Sequence, residues 1–287
     1  MIYGYIQTKR KKKVSIKRAC EYFHVSRSGY YAFVNRAPSN LTLEKEALSE
    51  IIRAIYFKHK GRYGSRRIQV ELKREHQLAV SRKRIGRLLR KQGLYTKGKR
   101  RKYKKQATDR CANPNLIKQN FHANKPNQIW FGDISYVPTQ EGMLYCSVFI
   151  DCCTRKCVGF AIREHLRDSL VIDSLEVALH REKPKNGLLI HTDQSSQYTG
   201  HRFYEYSRIH HFVHSQSRKG NPYDNAVMES FFKSFKREIL PNKQFQTKAQ
   251  AKLDIIDYLE SYYNYKRIHS SLNYLTPYEF EVSNEFS

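Results

Sequence analysis

The apolar positions of this chain follow two rhythms. Up to about residue 96 they recur at helical spacing, and from Gln128 onward they gather into short runs typical of strands. Between Ser15 and Val34, Ile16, Ala19, Cys20 and Phe23 predict a short helix. His24-Val25 breaks it, and Ser26 caps a second helix carrying Tyr30, Tyr31 and Phe33. Two short helices around a tight turn outline a helix-turn-helix. Leu48, Ile51, Ile52 and Ile55 predict a longer amphipathic helix over 41–59, broken between Gly61 and Gly64. A second helix-turn-helix follows. Ile68 and Leu72 form one stripe, Leu78-Ala79-Val80 the turn, and Ser81 caps a helix that buries Ile85, Leu88 and Leu89 before Gly93 stops it.

Residues 129–137, 143–151 and 156–162 read as three strands joined by short turns, hence antiparallel. A helix over 168–181, a short buried strand at Leu188-Leu189-Ile190, a helix over 200–208 and a last strand at 211–214 continue the pattern. Asn221-Pro222 opens a long helix, since proline is tolerated at the first helical position, and another spans about 248–265. The expected fold is α/β: a mixed five-stranded sheet with flanking helices, preceded by small all-α helix-turn-helix modules. The expected divisions are a helical region at 1–60, a helix-turn-helix module at 61–96, a basic linker at 97–123 and a core with its tail at 124–287.

Charge divides the chain the same way. The first 110 residues carry 32 Lys and Arg against 7 Asp and Glu, whereas the remainder is close to neutral at +2 out of a total of +27. So one-sided a charge points to a polyanionic partner, nucleic acid above all. The outer face of the helix after Ser81 offers Arg82, Lys83, Arg84 and Arg87 to a DNA groove or backbone, the alternative being a solvated face of a plain helical hairpin. The run from Lys97 to Lys105 has no apolar period and reads as a basic linker. The N-terminus lacks the apolar stretch of a secretory signal, and no run is long enough to span a membrane, so a cytoplasmic, nucleoid-associated location is expected. The six cysteines form no matched pair of CxxC motifs and read as small reduced hydrophobes.

Three carboxylates stand out. Asp133 lies mid-strand, where a charge is expensive to bury unless it is paired or binds metal. Asp193 follows the short strand ending at Ile190, at the end of a strand where α/β sheets place their sites. Glu229 lies in the helix after Pro222, on the face away from Met228, Phe231, Phe232, Phe235 and Ile239, with Lys233 and Lys236 at i+4 and i+7. If brought together, the three repel one another unless cations intervene. Two Mg²⁺ or Mn²⁺ ions about 3.5–4 Å apart relieve that repulsion and suit phosphodiester chemistry. His191 is expected to orient Asp193. Asn225 and Asp224 read first as capping residues and second as DNA contacts, and Asn225, like His191, is expected to support the metal-binding acids from behind. Arg267 and His269 suit a phosphate or, alternatively, a helix C-terminus. Tyr262, Tyr263 and Tyr265 suit base stacking or core packing.

Several segments, taken in order, resemble the insertion-sequence transposases with a retroviral-integrase-type core, and within them the product of the second reading frame (OrfB). Trp130 stands three before Asp133. The stretch His191-Thr192-Asp193-Gln194-Ser195-Ser196-Gln197-Tyr198 resembles the segment around the family's second acid. Gly220-Asn221-Pro222-Tyr223-Asp224-Asn225-Ala226 before Glu229 resembles the third, with 35 residues between Asp193 and Glu229. Tyr263-Asn264-Tyr265-Lys266-Arg267-Ile268-His269, Ser271-Leu272 and Thr276-Pro277 resemble the C-terminal signature, and Tyr63-Gly64 with Arg67-Ile68 the N-terminal module.

The resemblance implies a ribonuclease-H-like fold and a DDE polynucleotidyl transferase. Water and then the freed 3′-hydroxyl would attack phosphodiesters, with Asp133, Asp193 and Glu229 holding the metals. The implied partners are insertion-sequence ends, target DNA, further copies of the chain and the upstream-frame (OrfA) protein, whose absence the start at Met1 fits. One position departs from the family pattern. Ser195 stands where glycine is usual, and a positive φ there would strain the turn that aims Asp193. A ribonuclease-H-like nuclease that cuts without joining, and an inactive DNA-binding copy, are the alternative readings.

Overall fold

The structure is a computed structural model that describes residues 2–10, 15–96, 113–218, 221–240, 245–284 and 286. The expected basic run from Lys97 to Lys105 lies outside the described residues.

Six helices precede the sheet: α1 (Ile2–Arg10), α2 (Ile16–Tyr22), α3 (Arg27–Asn35), α4 (Asn40–Lys58), α5 (Ser65–His76) and α6 (Arg82–Lys91). The first was not anticipated, because Ile2 to Arg10 shows little apolar periodicity. It forms by closing Ile6 over Cys20 and Tyr30, the small core shared by α1, α2 and α3. The cap expected at Ser26 is present, its hydroxyl accepting from the Gly29 N–H at 3.0 Å. Ser81 caps α6 in the same way, and Ile85, Leu88 and Leu89 are buried as the stripe predicts. Gly93, at φ 68, ends that turn in the left-handed conformation glycine adopts without strain. The packing joins α4 to α5 and α6 through Leu48, Ile52 and Ile55, across the division expected at residue 60.

The sheet has order β3-β2-β1-β4-β5, with β1 (Ile129–Thr139), β2 (Gly142–Asp151), β3 (Cys157–Arg163), β4 (Leu189–Thr192) and β5 (Val213–Gln216). The first three strands form the expected antiparallel meander, and β4 and β5 add in parallel beside β1. This is the mixed five-stranded ribonuclease-H-like sheet. The last strand begins two residues later than expected because His211, at φ 53, still belongs to the turn.

Alternation along β1 sends Trp130 to one face and Phe131 to the other. On the Trp130 face lie α7 (Asp168–Glu182), α8 (Ser196–Thr199) and α9 (His201–Ile209). On the Phe131 face lie α10 (Ala226–Ile239) and α11 (Lys248–Ile256), which continues as π-helical turns over Asp257–Tyr263. The chain ends in α12 (Pro277–Ser283), opened by a capping box between Thr276 and Glu279. No helix among the described residues is long and apolar enough to cross a membrane.

Close contact between β3 and α7 depends on Gly159. A Cβ there would lie 2.4 Å from the Ser174 carbonyl oxygen and 2.7 Å from the Ala178 Cβ. Gly159→Val is therefore expected to destabilise the chain by about 1–3 kcal/mol, as overpacking does, read as a lower urea midpoint with the slope unchanged.

Candidate active site

In the parallel ladder Phe131 faces His191. Asp133 stands two residues further along β1, and Asp193 immediately follows the last residue of the neighbouring strand β4. Both carboxylates are half-buried. They act on a common neighbour, the buried phenol of Tyr198, which burial first, and then Asp133 and Asp193, hold well above its ordinary range. Sequence reasoning had placed Tyr198 in a motif without giving it this position.

Local backbone bonds aim the two acids. The Ile134 N–H donates to Asp133 Oδ1 at 2.7 Å, and the Ser195 N–H donates to Asp193 Oδ1 at 3.0 Å. Ser195 itself has φ −67 and ψ 152, an extended conformation at the N-cap of α8. The positive φ that would have made serine a liability is not present, so the expected strain does not arise.

Glu229 comes from α10. The 3-10 turn Pro222–Asn225 leads into that helix, with Asn221 capping the turn by accepting from the Tyr223 N–H at 3.1 Å. Asp224 is fully buried. It accepts from the Arg218 backbone N–H and from its guanidinium at 2.9–3.0 Å, and from Gln119 at 3.1 Å. Those bonds, the Arg218 side chain first, hold its carboxyl well below the usual carboxylate range. Asn225 Nδ2 donates to the Gly132 carbonyl at 3.4 Å, so the start of α10 sits beside Asp133. Glu229, one turn later, is exposed, as are Lys233 and, in α6, Arg82, Lys83, Arg84 and Arg87. Lys236 is half-buried. Met228, Phe231, Phe232, Phe235 and Ile239 are buried as the helical period predicts.

Two expectations are corrected. His191 does not reach Asp193 in any described contact. Its Nδ1 pairs with Ser215 Oγ at 2.9 Å and its Nε2 with Ser217 Oγ at 3.1 Å, and burial holds the ring's pKa down to about 4. It is a neutral crosslink from β4 to β5 and the segment after it. Arg267 is not presented to solvent either. It is 3% exposed, and its guanidinium clasps Glu238 with Nε–Oε2 at 3.0 Å and Nη2–Oε1 at 2.9 Å. His269 lies against Arg267 Nη1 at 3.0 Å. Burial first, and then Arg267, Arg67 and Arg155, hold its pKa well below the ordinary value. Of the three tyrosines, Tyr262 and Tyr263 are buried and Tyr265 is exposed.

Glu238 went unnoticed in the sequence although the signal was there. It follows Phe235 by three and precedes Ile239, on the buried stripe of α10. A carboxylate at such a position needs a cation, and Arg267 supplies it.

Asp133 and Asp193 offer hard oxygen donors suited to a divalent cation. Asn225 Oδ1, buried without a hydrogen-bond partner among the described residues, is a further oxygen at the same end of β1. The acid pair and this orphaned amide fit a metal, although among the described residues no three His, Cys, Asp or Glu side chains lie close enough together to hold one. Glu229 is four residues beyond Asn225 on the helix whose start is bonded beside Asp133.

Arg267→Ala leaves the buried Glu238 with a single hydrogen bond from Arg67 and one from the Tyr258 hydroxyl, and is expected to lower stability by about 3–5 kcal/mol in denaturant titration. Ser195→Gly is expected to give no gain: the Ser195 hydroxyl makes no cap bond, and glycine only adds freedom to the unfolded chain, a loss of about 0.4–1 kcal/mol. A clear gain in thermal midpoint would contradict the extended conformation of Ser195.

Comparisons with known proteins agree with this architecture. Integrase core domain models match residues 123–222 and 211–277, and an HTH-like domain model matches residues 43–103. The transposase for insertion sequence element IS904 of Lactococcus lactis subsp. lactis (strain IL1403) is 46% identical over 253 residues, covering 88% of this chain and 100% of the relative. Transposase InsF for insertion sequence IS3A of Escherichia coli (strain K12) is 34% identical over 288 residues, 99% of each chain. Among solved structures, the HTLV-2 integrase catalytic core domain in complex with magnesium covers 56% of this chain and 99% of its own, at 15% identity and a TM-score of 0.42. At these identities and over these lengths, the chain belongs to the insertion-sequence transposases that carry an integrase core domain.

Proposed function

We propose that this transposase cleaves and rejoins DNA at insertion-sequence ends through a DDE site made of Asp133, Asp193 and Glu229, with two Mg²⁺ or Mn²⁺ ions. The reading is supported by Asp133 on β1 and Asp193 just past the adjacent parallel strand β4, both acting electrostatically on the buried Tyr198 phenol, with the start of α10 bonded beside Asp133. When bound, the ions supply charge neutralisation for the pentavalent phosphorus centre and acidify the attacking hydroxyl.

The chain's own groups orient the reaction. The Ile134 amide fixes one oxygen of Asp133 and the Ser195 amide one oxygen of Asp193, which orients both carboxylates. Asn225 anchors the helix that delivers Glu229. Lys233 and Lys236 follow on that helix and neutralise strand phosphates.

Along the chain, we assign DNA holding to residues 61–96 with α4 packed against them, through Arg82, Lys83, Arg84 and Arg87. Residues 1–60 add further helical contacts, 97–123 link, and 124–287 catalyse. Joining two ends requires at least two copies of the chain on DNA, and the upstream-frame protein supplies additional DNA-binding and dimerising helices.

The test is joining of labelled element-end DNA with the upstream-frame protein present. Wild type is expected to yield joined product in Mg²⁺ or Mn²⁺ and none after chelation. Asp193→Asn and Glu229→Gln are each expected to lose more than the roughly 10–100-fold that removal of an outer-shell metal partner costs. Cutting without joining would identify a nuclease, and binding without cutting an inactive copy.

A further inference from the structure

A cleft of about 350 Å³ opens between α5, the β2–β3 turn, α10 and the C-terminal tail. Its walls carry Arg67, Arg155, Arg267 and His269, with the hydroxyls of Ser230 and Ser271 among others, and no Asp or Glu lines it. Glu238 lies beneath and answers only part of this charge. It accepts from Arg267 at 2.9 Å and from one nitrogen of Arg67 at 3.2 Å. Arg155 Nη2 donates to the Phe121 carbonyl at 3.3 Å, a neutral acceptor. Three guanidiniums thus face one cleft with one carboxylate between them; burial first, and then these three cations, hold the His269 pKa well below its ordinary value.

Arg155 is held in an unusual backbone state. Its φ is 59, in the left-handed region that non-glycine residues rarely adopt. The turn that imposes this is braced by the buried Asp151, whose carboxylate accepts from the Asn127, Cys153 and Thr154 amides and the Thr154 hydroxyl at 2.7–3.0 Å. A strained residue over-determined by its surroundings is a pointer to function, and what this one presents to the cleft is a cation.

We infer that this cleft is a phosphate subsite for the DNA backbone, with Arg67 and Arg155 as donors, Arg267 contributing charge from behind, and the serine hydroxyls of α10 and the tail completing the cradle. Guanidiniums fit this ligand because their planar forks match phosphate oxygens in geometry as well as charge. Ser230 directly follows Glu229, so one helix serves both sites and a strand seated in the cleft is held alongside the acid cluster. The inference rests on the reading of this chain as a DNA-processing enzyme and adds to it a second place where the strand is gripped.

The experiment measures binding of the full chain to a fluorescein-labelled DNA duplex of arbitrary sequence, by anisotropy, without divalent metal, over roughly 50–200 mM salt. Arg155→Gln is expected to reduce the slope of log affinity against log salt by about one, and Arg155→Lys to restore most of it. Arg202→Gln, which removes an exposed cation from α9 on the other face of the sheet, is expected to leave the slope unchanged. Ser271→Glu, at an exposed position, places a negative charge in the cleft and is expected to weaken binding at every salt concentration. An unchanged slope in folded Arg155→Gln, or an equal loss in Arg202→Gln, overturns the subsite. If circular dichroism shows Arg155→Gln unfolded, Ser271→Glu decides alone, and unaltered affinity overturns it. No step of this measurement needs catalysis, so a chain that binds as described yet never joins ends would keep the cleft and lose the DDE assignment.

Discussion

The buried contact between Glu238 and Arg267 is where three distant parts of the chain are tied to one another. Glu238 comes from α10, Arg267 from the tail beyond the π-helical turns, and Arg67, from α5, donates to the same carboxylate while Tyr258 donates from the helix between. Such a pair is a weak source of net stability, because desolvating both charges offsets most of their attraction. Its effect is on geometry. A carboxylate with four donors around it has one acceptable position, and any slide of α10 along the sheet would leave charge buried and unpaired. Burial alone would favour protonating Glu238, yet its pKa lies below the ordinary value because Arg267 and Arg67 outweigh that burial.

What depends on this is the delivery of Glu229. The helix that carries it is fixed at one end by Asn225 against Gly132 and at the other by Glu238, with Phe231 and Phe235 packed between. The helical module is set by the same centre. Tyr63, at the start of α5, donates its hydroxyl to the Lys266 carbonyl and accepts from the Ile268 N–H, both at 3.0 Å. Arg62 lies over the Tyr262 ring at 4.2 Å. Thus the tail works as a bracket between the DNA-holding helices and the catalytic sheet.

How much of this could be read from the chain follows from which interactions are local. Caps, stripes and hairpins are decided within a few residues, and Ser26, Ser81 and the meander of β1 to β3 came out as expected. The ladder beside Asp133 was also legible, since a strand ending just before Asp193 had few places to go. Long-range side-chain pairing was not. Arg267 looked like a phosphate ligand because nothing near it in sequence reveals Glu238, 29 residues earlier. His191 looked like a partner for Asp193 because the two are close in sequence, whereas its ring is satisfied by two serines of a strand and loop more than twenty residues away. The worry over Ser195 came from a residue type alone, and only a backbone angle could remove it.

The same distinction clarifies how a nearly neutral core can manage a polyanion. Residues after 110 carry a net charge of only +2, so bulk attraction falls to the helices before them. In the core, position replaces quantity. Acidic side chains remote from the site are mostly matched, as Asp168 is to Arg202 and Glu260 to Arg181. The cations facing the cleft are left in excess over the single carboxylate behind them. A fold that neutralises its charges elsewhere and leaves them unbalanced in one concavity directs a phosphate to that concavity, while the half-buried acid pair repels it until cations are bound. The two sites are therefore complementary. On the reading proposed above, one would hold the strand by charge that is always present, and the other would engage it only once cations have cancelled its own charge.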